Sequence, residues 1–185
     1  MVQGSHRKNE VHQKRELITQ PTVNASLGSD GRHHENMTER IWTDRDYDKM
    51  SWHDNHVHGI RIVEGKYGAG ELELDLDYIT EWCNCEEGYE FLVLPAKLTF
   101  FGVTSLVISL DYKTPTAGLC PFSIDSIERR YEGRERYTAQ LWKIEINWPK
   151  GSVEFEAESF VQKSVGVPLR SKEQYLDWAR RGNST

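Results

Sequence analysis

Apolar and polar residues alternate most clearly over residues 71–78. Leu72, Leu74, Leu76 and Tyr78 fall on one side of an extended chain, and Glu71, Glu73, Asp75 and Asp77 on the other. That period of two marks a strand with one face in a core and one turned away from it. Residues 56–63 repeat the pattern. His56, His58, Ile60 and Ile62 share one face, Val57, Gly59, Arg61 and Val63 the other, and a glycine-rich turn over 65–70 follows. Residues 97–101 and 105–111 read as two more apolar strands interrupted at Gly102. Further on, Trp142, Ile144, Ile146 and Trp148 alternate with Leu141, Lys143, Glu145 and Asn147. After a turn at residues 149–152, Val153, Phe155 and Ala157 alternate with Glu154, Glu156 and Glu158, which predicts a hairpin.

Short connections between such strands favour antiparallel pairing, because parallel neighbours need crossover segments. The expected fold is therefore mainly β, an antiparallel sheet or partly closed barrel. The C-terminal end switches period. Ser171 is placed to cap a helix over about 171–181, with Pro168 upstream and Tyr175, Trp178 and Ala179 at helical spacing. Residues 1–45 show neither period and are rich in Asn, Gln, Ser, Gly and His, so they read as a poorly ordered tail. The single β-rich domain is expected over 46–185.

Charge narrows the functions. Residues 1–49 hold eight Lys or Arg against eight Asp or Glu, so the formal charge of −6 resides in residues 50–185. An acidic domain repels phosphate backbones. The densest basic group, Arg129, Arg130, Arg134 and Arg136, is threaded with Glu128, Glu132 and Glu135, which argues against nucleic acid. The longest apolar runs are far short of the roughly 20 residues of a membrane span, and no apolar stretch near the N-terminus marks secretion. Cys83, Cys85 and Cys120 read as free thiols in a reducing cytoplasm.

The run Trp52 to Gly59 is the one cluster that suggests catalysis. Asp54, His56 and His58 reproduce an Asp-x-His-x-His spacing that resembles the first metal motif of amidohydrolase-type enzymes. Alternate strand residues lie about 6–7 Å apart, near enough for two imidazoles to share a zinc ion. Those families are barrels of about 250 residues with further histidines on later strands, whereas here no histidine follows His58. Glu64, Asp75, Asp77, Asp111 or a cysteine could complete a site, but none is at a diagnostic spacing. The expectation is no cofactor, with zinc held by His53, Asp54, His56 and His58 as the alternative. Glu81, Glu86 and Glu87 beside Cys83 and Cys85 oppose thiolate formation, and there is no Gly-x-Ser-x-Gly elbow or phosphate loop.

Six Trp and eight Tyr exceed what a small core requires. Aromatic side chains make recognition surface at low entropy cost. The candidate binding residues are Trp52, Trp82 and Tyr89 together with the carboxylates Asp75 and Asp77. Trp52-His53-Asp54 before a strand, Leu76 to Trp82, the strands between Leu98 and Leu110, and Gly151 to Ala157 are similar in layout to small bacterial immunity-type domains associated with polymorphic toxins. The resemblance covers roughly residues 50–165. It implies a non-enzymatic domain that binds a protein. The acidic face adds that the partner surface is basic; the rival expectation is a small metal-dependent hydrolase.

Overall fold

The alternating segments become strands because each has one apolar row to bury and one polar row that water or a neighbour can satisfy. The computed structural model describes residues 39–86, 88–113 and 118–182. Along the chain these form β1 (Glu39–Thr43), a 3-10 turn (Tyr47–Lys49), β2 (His56–Glu64), β3 (Gly70–Cys85), β4 (Gly88–Leu110), β5 (Phe122–Gly133), β6 (Thr138–Trp148), β7 (Gly151–Glu156), β8 (Ser159–Val165), β9 (Leu169–Ser171) and α1 (Trp178–Arg181). The strands make a mainly antiparallel sheet in the order β1-β8-β4-β3-β2-β5-β6-β7, and β7 returns to pair with β4. The sheet thereby closes into a partial ring.

Strand β4 makes that closure possible. It pairs with β3 as far as Val103, and with β7 from Thr104 onward. The change of partner falls where Gly102 and Ser105 take positive φ values of 67° and 54°. The two apolar runs read from sequence on either side of Gly102 are thus parts of one bent strand. Close approach is enforced again at Gly151, where an added Cβ would lie 2.1 Å from the Ser109 carbonyl oxygen. Gly151→Ala must push β7 off β4 and is expected to cost about 1–3 kcal/mol in urea unfolding; an unchanged midpoint would mean that the two backbones are not in contact there.

The interior of the ring is filled by aliphatic and aromatic side chains. Leu72, Leu74, Leu76, Leu98, Phe100, Ile124, Trp142, Ile144, Val153 and Phe160 are all essentially inaccessible to water. Phe100 lies 5.0 Å from Trp142 and 4.8 Å from Phe155 between ring centroids, in edge-to-face arrangements that aromatic quadrupoles prefer. A second, smaller cluster of Ile79, Phe91, Val93 and Leu176 lies apart from the main core. Residues 172–182, hereafter the strap, supply its Leu176.

Several sequence expectations change. Residues 39–43, assigned to the tail, form β1 and pair with β8; residues 1–38 lie outside the described residues. His56, His58, Ile60 and Ile62 do not share one face. Val57 pairs with Leu76 and Gly59 with Asp75, so His58 is the extra residue of a β-bulge. The bulge shifts the alternation by one, and Ile60 packs against the main core while His56 and His58 meet Tyr175 and Trp178 of the strap. Trp142, Ile144 and Ile146 are interior as expected, but Trp148 at the end of the row is 46% exposed. Two bulges also hide β5 from sequence periodicity. Phe122, Ile124 and Ile127 are all buried although their spacing changes from two to three.

The helix is shorter than expected. It spans Trp178–Arg181, with the Asp177 carboxylate accepting from the Arg180 N–H at 2.8 Å, while Ser171 closes β9. The reason lies at Leu176, whose N–H donates to the Asp77 carboxylate at 2.7 Å instead of to a carbonyl one turn back. A helix cannot run through a residue whose amide is committed elsewhere.

Candidate functional site

Residues 52–55 fold tightly because their backbone groups are shared with β5. The Asp54 N–H donates to the Ile124 carbonyl and the Ile124 N–H to the Asn55 carbonyl. Asp54 sits at φ 62°, a left-handed conformation that Asp tolerates better than most residues. Buried Asn55 accepts the Ile79 N–H at 3.1 Å and fixes the turn to β3. From this turn the three histidines leave in different directions.

His53 stays at the surface. Its ring stacks on Trp82 with centroids 6.4 Å apart and planes at 14°, and its Nδ1 lies 3.0 Å from the Asp125 carbonyl. His56 bonds through Nδ1 to the Asp54 carbonyl at 3.2 Å and lies under Tyr175. His58 places Nε2 3.0 Å from Asp77 Oδ2, with its ring against Trp178 at 5.8 Å. An aspartate at that distance takes the ring nitrogen as a donor. Among the described residues, no group of three or more His, Cys, Asp or Glu side chains is placed to hold a metal ion. Asp54, His56 and His58 thus do not converge on one shared point.

The acidic row of β3 has a different fate from its sequence reading. Asp77 is fully buried. Its carboxylate receives His58, the Leu176 N–H and the Arg181 guanidinium, which also contacts Asp75. Arg181 is itself nearly inaccessible, whereas the Asp75 side chain is about half exposed. A buried carboxylate is tolerable only when paired and hydrogen-bonded in this way. Farther along the strap, Gln174 donates to Asp54 Oδ2 at 2.9 Å, and Asn147 donates to Oδ1 at 2.8 Å. Asp54 and Asp77 therefore fasten the strap over β2 and β3.

Of the candidate binding residues, Trp52 and Asp77 are interior and present no surface. Trp52 is 4% exposed and donates its Nε1–H to buried Gln162 at 2.8 Å. Trp82, Tyr89 and Asp75 do reach the surface. Trp82 meets Phe91 edge-on at 5.0 Å and Tyr89 at 6.0 Å, and Tyr89 is 59% exposed. Beside His53 runs an open groove of about 260 Å³ lined by Tyr47, Asp48, Ser51, Asp125 and Ser126 among others. Cys83, Cys85 and Cys120 are free thiols, and partial burial together with the Glu81 carboxylate pushes the Cys83 thiol up. That is the direction expected from the glutamates around it, and it disfavours a nucleophile. No helix among the described residues is long and apolar enough to cross a membrane.

Burial under the strap lowers the pKa of His56 below its ordinary 6.5, and His58 adds to the effect, while the Asp54 carbonyl and the Asp77 and Asp54 carboxylates oppose it. The unfolded chain then binds a proton at His56 at a higher pH than the native chain does. Stability is complete above about 6.5 and declines as pH falls from there through the lowered native value. His56→Asn is expected to flatten the stability profile of the native chain over that window in urea titrations. An identical slope in both proteins would assign the proton uptake to another group.

The strap contacts were not visible in the sequence. Leu176, Gln174 and Arg181 meet partners 99, 120 and 104 residues away, too far apart for a local pattern to link them. No family model matches the chain, and no curated protein or solved structure matches it either.

Proposed function

We propose that this chain is a non-enzymatic protein-binding domain of the immunity-like kind, and that its partner presents a basic surface to the ridge of Tyr89, Trp82 and His53. The supporting observation is the ridge of contacting rings, His53 stacked on Trp82 and Tyr89 edge-on to it. His53, Trp82 and Tyr89 form a continuous run of rings, with Asp125 about half exposed beside His53 and Tyr89 open to solvent. Rigid rings with adjacent carboxylates suit cationic side chains, which gain from both the ring faces and the charge. The free thiols fit a reducing compartment.

The experiment is a chemical-shift titration of the full chain with an Arg- and Lys-rich dodecapeptide and with a Glu-rich peptide of equal length. The basic peptide is expected to move the Trp82 indole and Tyr89 signals, and Tyr89→Ala to weaken it about tenfold. The reading fails if the two peptides bind alike, or if the shifts fall elsewhere.

A further inference from the structure

The strap does not form part of the ring. The main core cluster is complete without it, since no residue beyond Phe160 contributes to that cluster. The strap has only four helical residues, and Lys172, Glu173, Tyr175 and residues 177–180 are exposed. Beside the Tyr175 and Trp178 rings on His56 and His58 and the Arg180 bonds to Ser171 and Arg170, its hold on the sheet rests on a few buried anchors. Leu176 is fully buried against Ile79, Phe91 and Val93. Its N–H and the Arg181 guanidinium share Asp77, Arg181 reaches Asp75 as well, and Gln174 meets Asp54. An aliphatic anchor in an apolar pocket followed by an arginine on paired carboxylates is how a peptide is bound, with a few residues carrying the energy.

We infer that the trough formed by Asp75, Asp77, Ile79, Phe91 and Val93 is a receptor for a peptide segment bearing an aliphatic residue and, five positions later, an arginine. The strap occupies this receptor in cis, and a basic partner segment of the same chemistry displaces it. The inference deepens the proposed function and rests on it for the partner's charge. Charge complementarity selects the occupant, because Asp75 and Asp77 face the trough and an acidic segment would add to their repulsion. Tethering sets the threshold. A linked segment acts at an effective concentration in the millimolar range, so a free peptide competes poorly until the cis anchor is weakened. Elements held by few contacts are also those that open locally below the global unfolding free energy.

The test uses a fluorescent peptide with the sequence of residues 172–182 and full-length chains. In anisotropy titrations, Leu176→Ala in the chain removes the cis anchor but leaves the trough intact, and is expected to bind the peptide at least tenfold tighter than the unaltered chain. A peptide whose residue equivalent to Arg181 is alanine is expected to lose at least tenfold on the same variant. Gln174→Ala, which releases only the partly buried bond to Asp54, supplies a milder opening, with a gain of about threefold expected, should Leu176→Ala prove poorly folded by hydrogen exchange in β3 and β6. Equal binding of the peptide to the unaltered and the well-folded opened chains, or indifference to the arginine, overturns the inference. If that happens while Tyr89→Ala still weakens the basic dodecapeptide, the ridge stands and the trough alone is excluded.

Discussion

Trp142→Ala is expected to destabilise the domain by about 3–5 kcal/mol, with a lower urea midpoint and an unchanged slope. Trp142 is 2% exposed on β6 and stands at the centre of the ring. Its indole lies 5.0 Å from Phe100, 5.7 Å from Phe160 and 5.6 Å from Tyr47 between centroids. Its Nε1–H donates to the Ala157 carbonyl at 3.3 Å. The substitution removes the apolar area, the edge-to-face contacts and that bond together, and strands on opposite sides of the ring cannot collapse far enough to fill the space. A loss under about 1 kcal/mol would place the residue outside the core and contradict the ring.

Arg181→Ala has the second largest expected effect, and its size is limited by the strap. Removing one partner of a buried ion pair costs about 3–5 kcal/mol when the other charge stays buried. Here Asp77 can escape that penalty, because undocking the strap returns its carboxylate to water. The measured global loss should therefore stop at the free energy of docking the strap. Burial of Leu176 contributes roughly 1.5–3 kcal/mol to that docking. The expected result is a fall of about 2–4 kcal/mol in urea unfolding, with residues 172–182 exchanging hydrogen close to the unprotected rate while β3, β4 and β6 stay protected and lose no more than that global difference. Residues 172–182 staying as protected as β3, β4 and β6, so that strap and sheet lose protection by the same factor, would show that the strap is integral to the ring.

Much of the fold was legible because the local signal and the tertiary role agree. Leu72 to Tyr78 and Trp142 to Ile146 alternate with one apolar row in the main core, and their period specifies the strands without knowledge of their neighbours. Where they disagree, the reading failed. The bulge at His58 divides an apparently regular row, and the bulges in β5 break its apolar spacing. The region of the candidate site was legible, but not its use. Asp54, His56, His58, Asp75 and Asp77 drew attention as potential ligands or open acidic surface. The carboxylates Asp54, Asp75 and Asp77 instead take partners from the strap, Gln174, Leu176 and Arg181, and no periodicity connects Asp77 to Arg181 across 104 positions. Trp82, near the end of β3, and Tyr89, near the start of β4, reach the surface, although Trp82 also packs against the second cluster.

The docked strap on the acidic face is the centre of this account, and the amide of Leu176 reports on it most directly. In the unaltered chain at neutral pH, that amide donates to a fully buried carboxylate. It is expected to exchange with deuterium well below the intrinsic rate while the amide of exposed Lys172 exchanges faster. Exchange of Leu176 at the unprotected rate, in a chain whose β3 and β6 amides remain protected, would contradict the docking of the strap and the use of Asp77 with it.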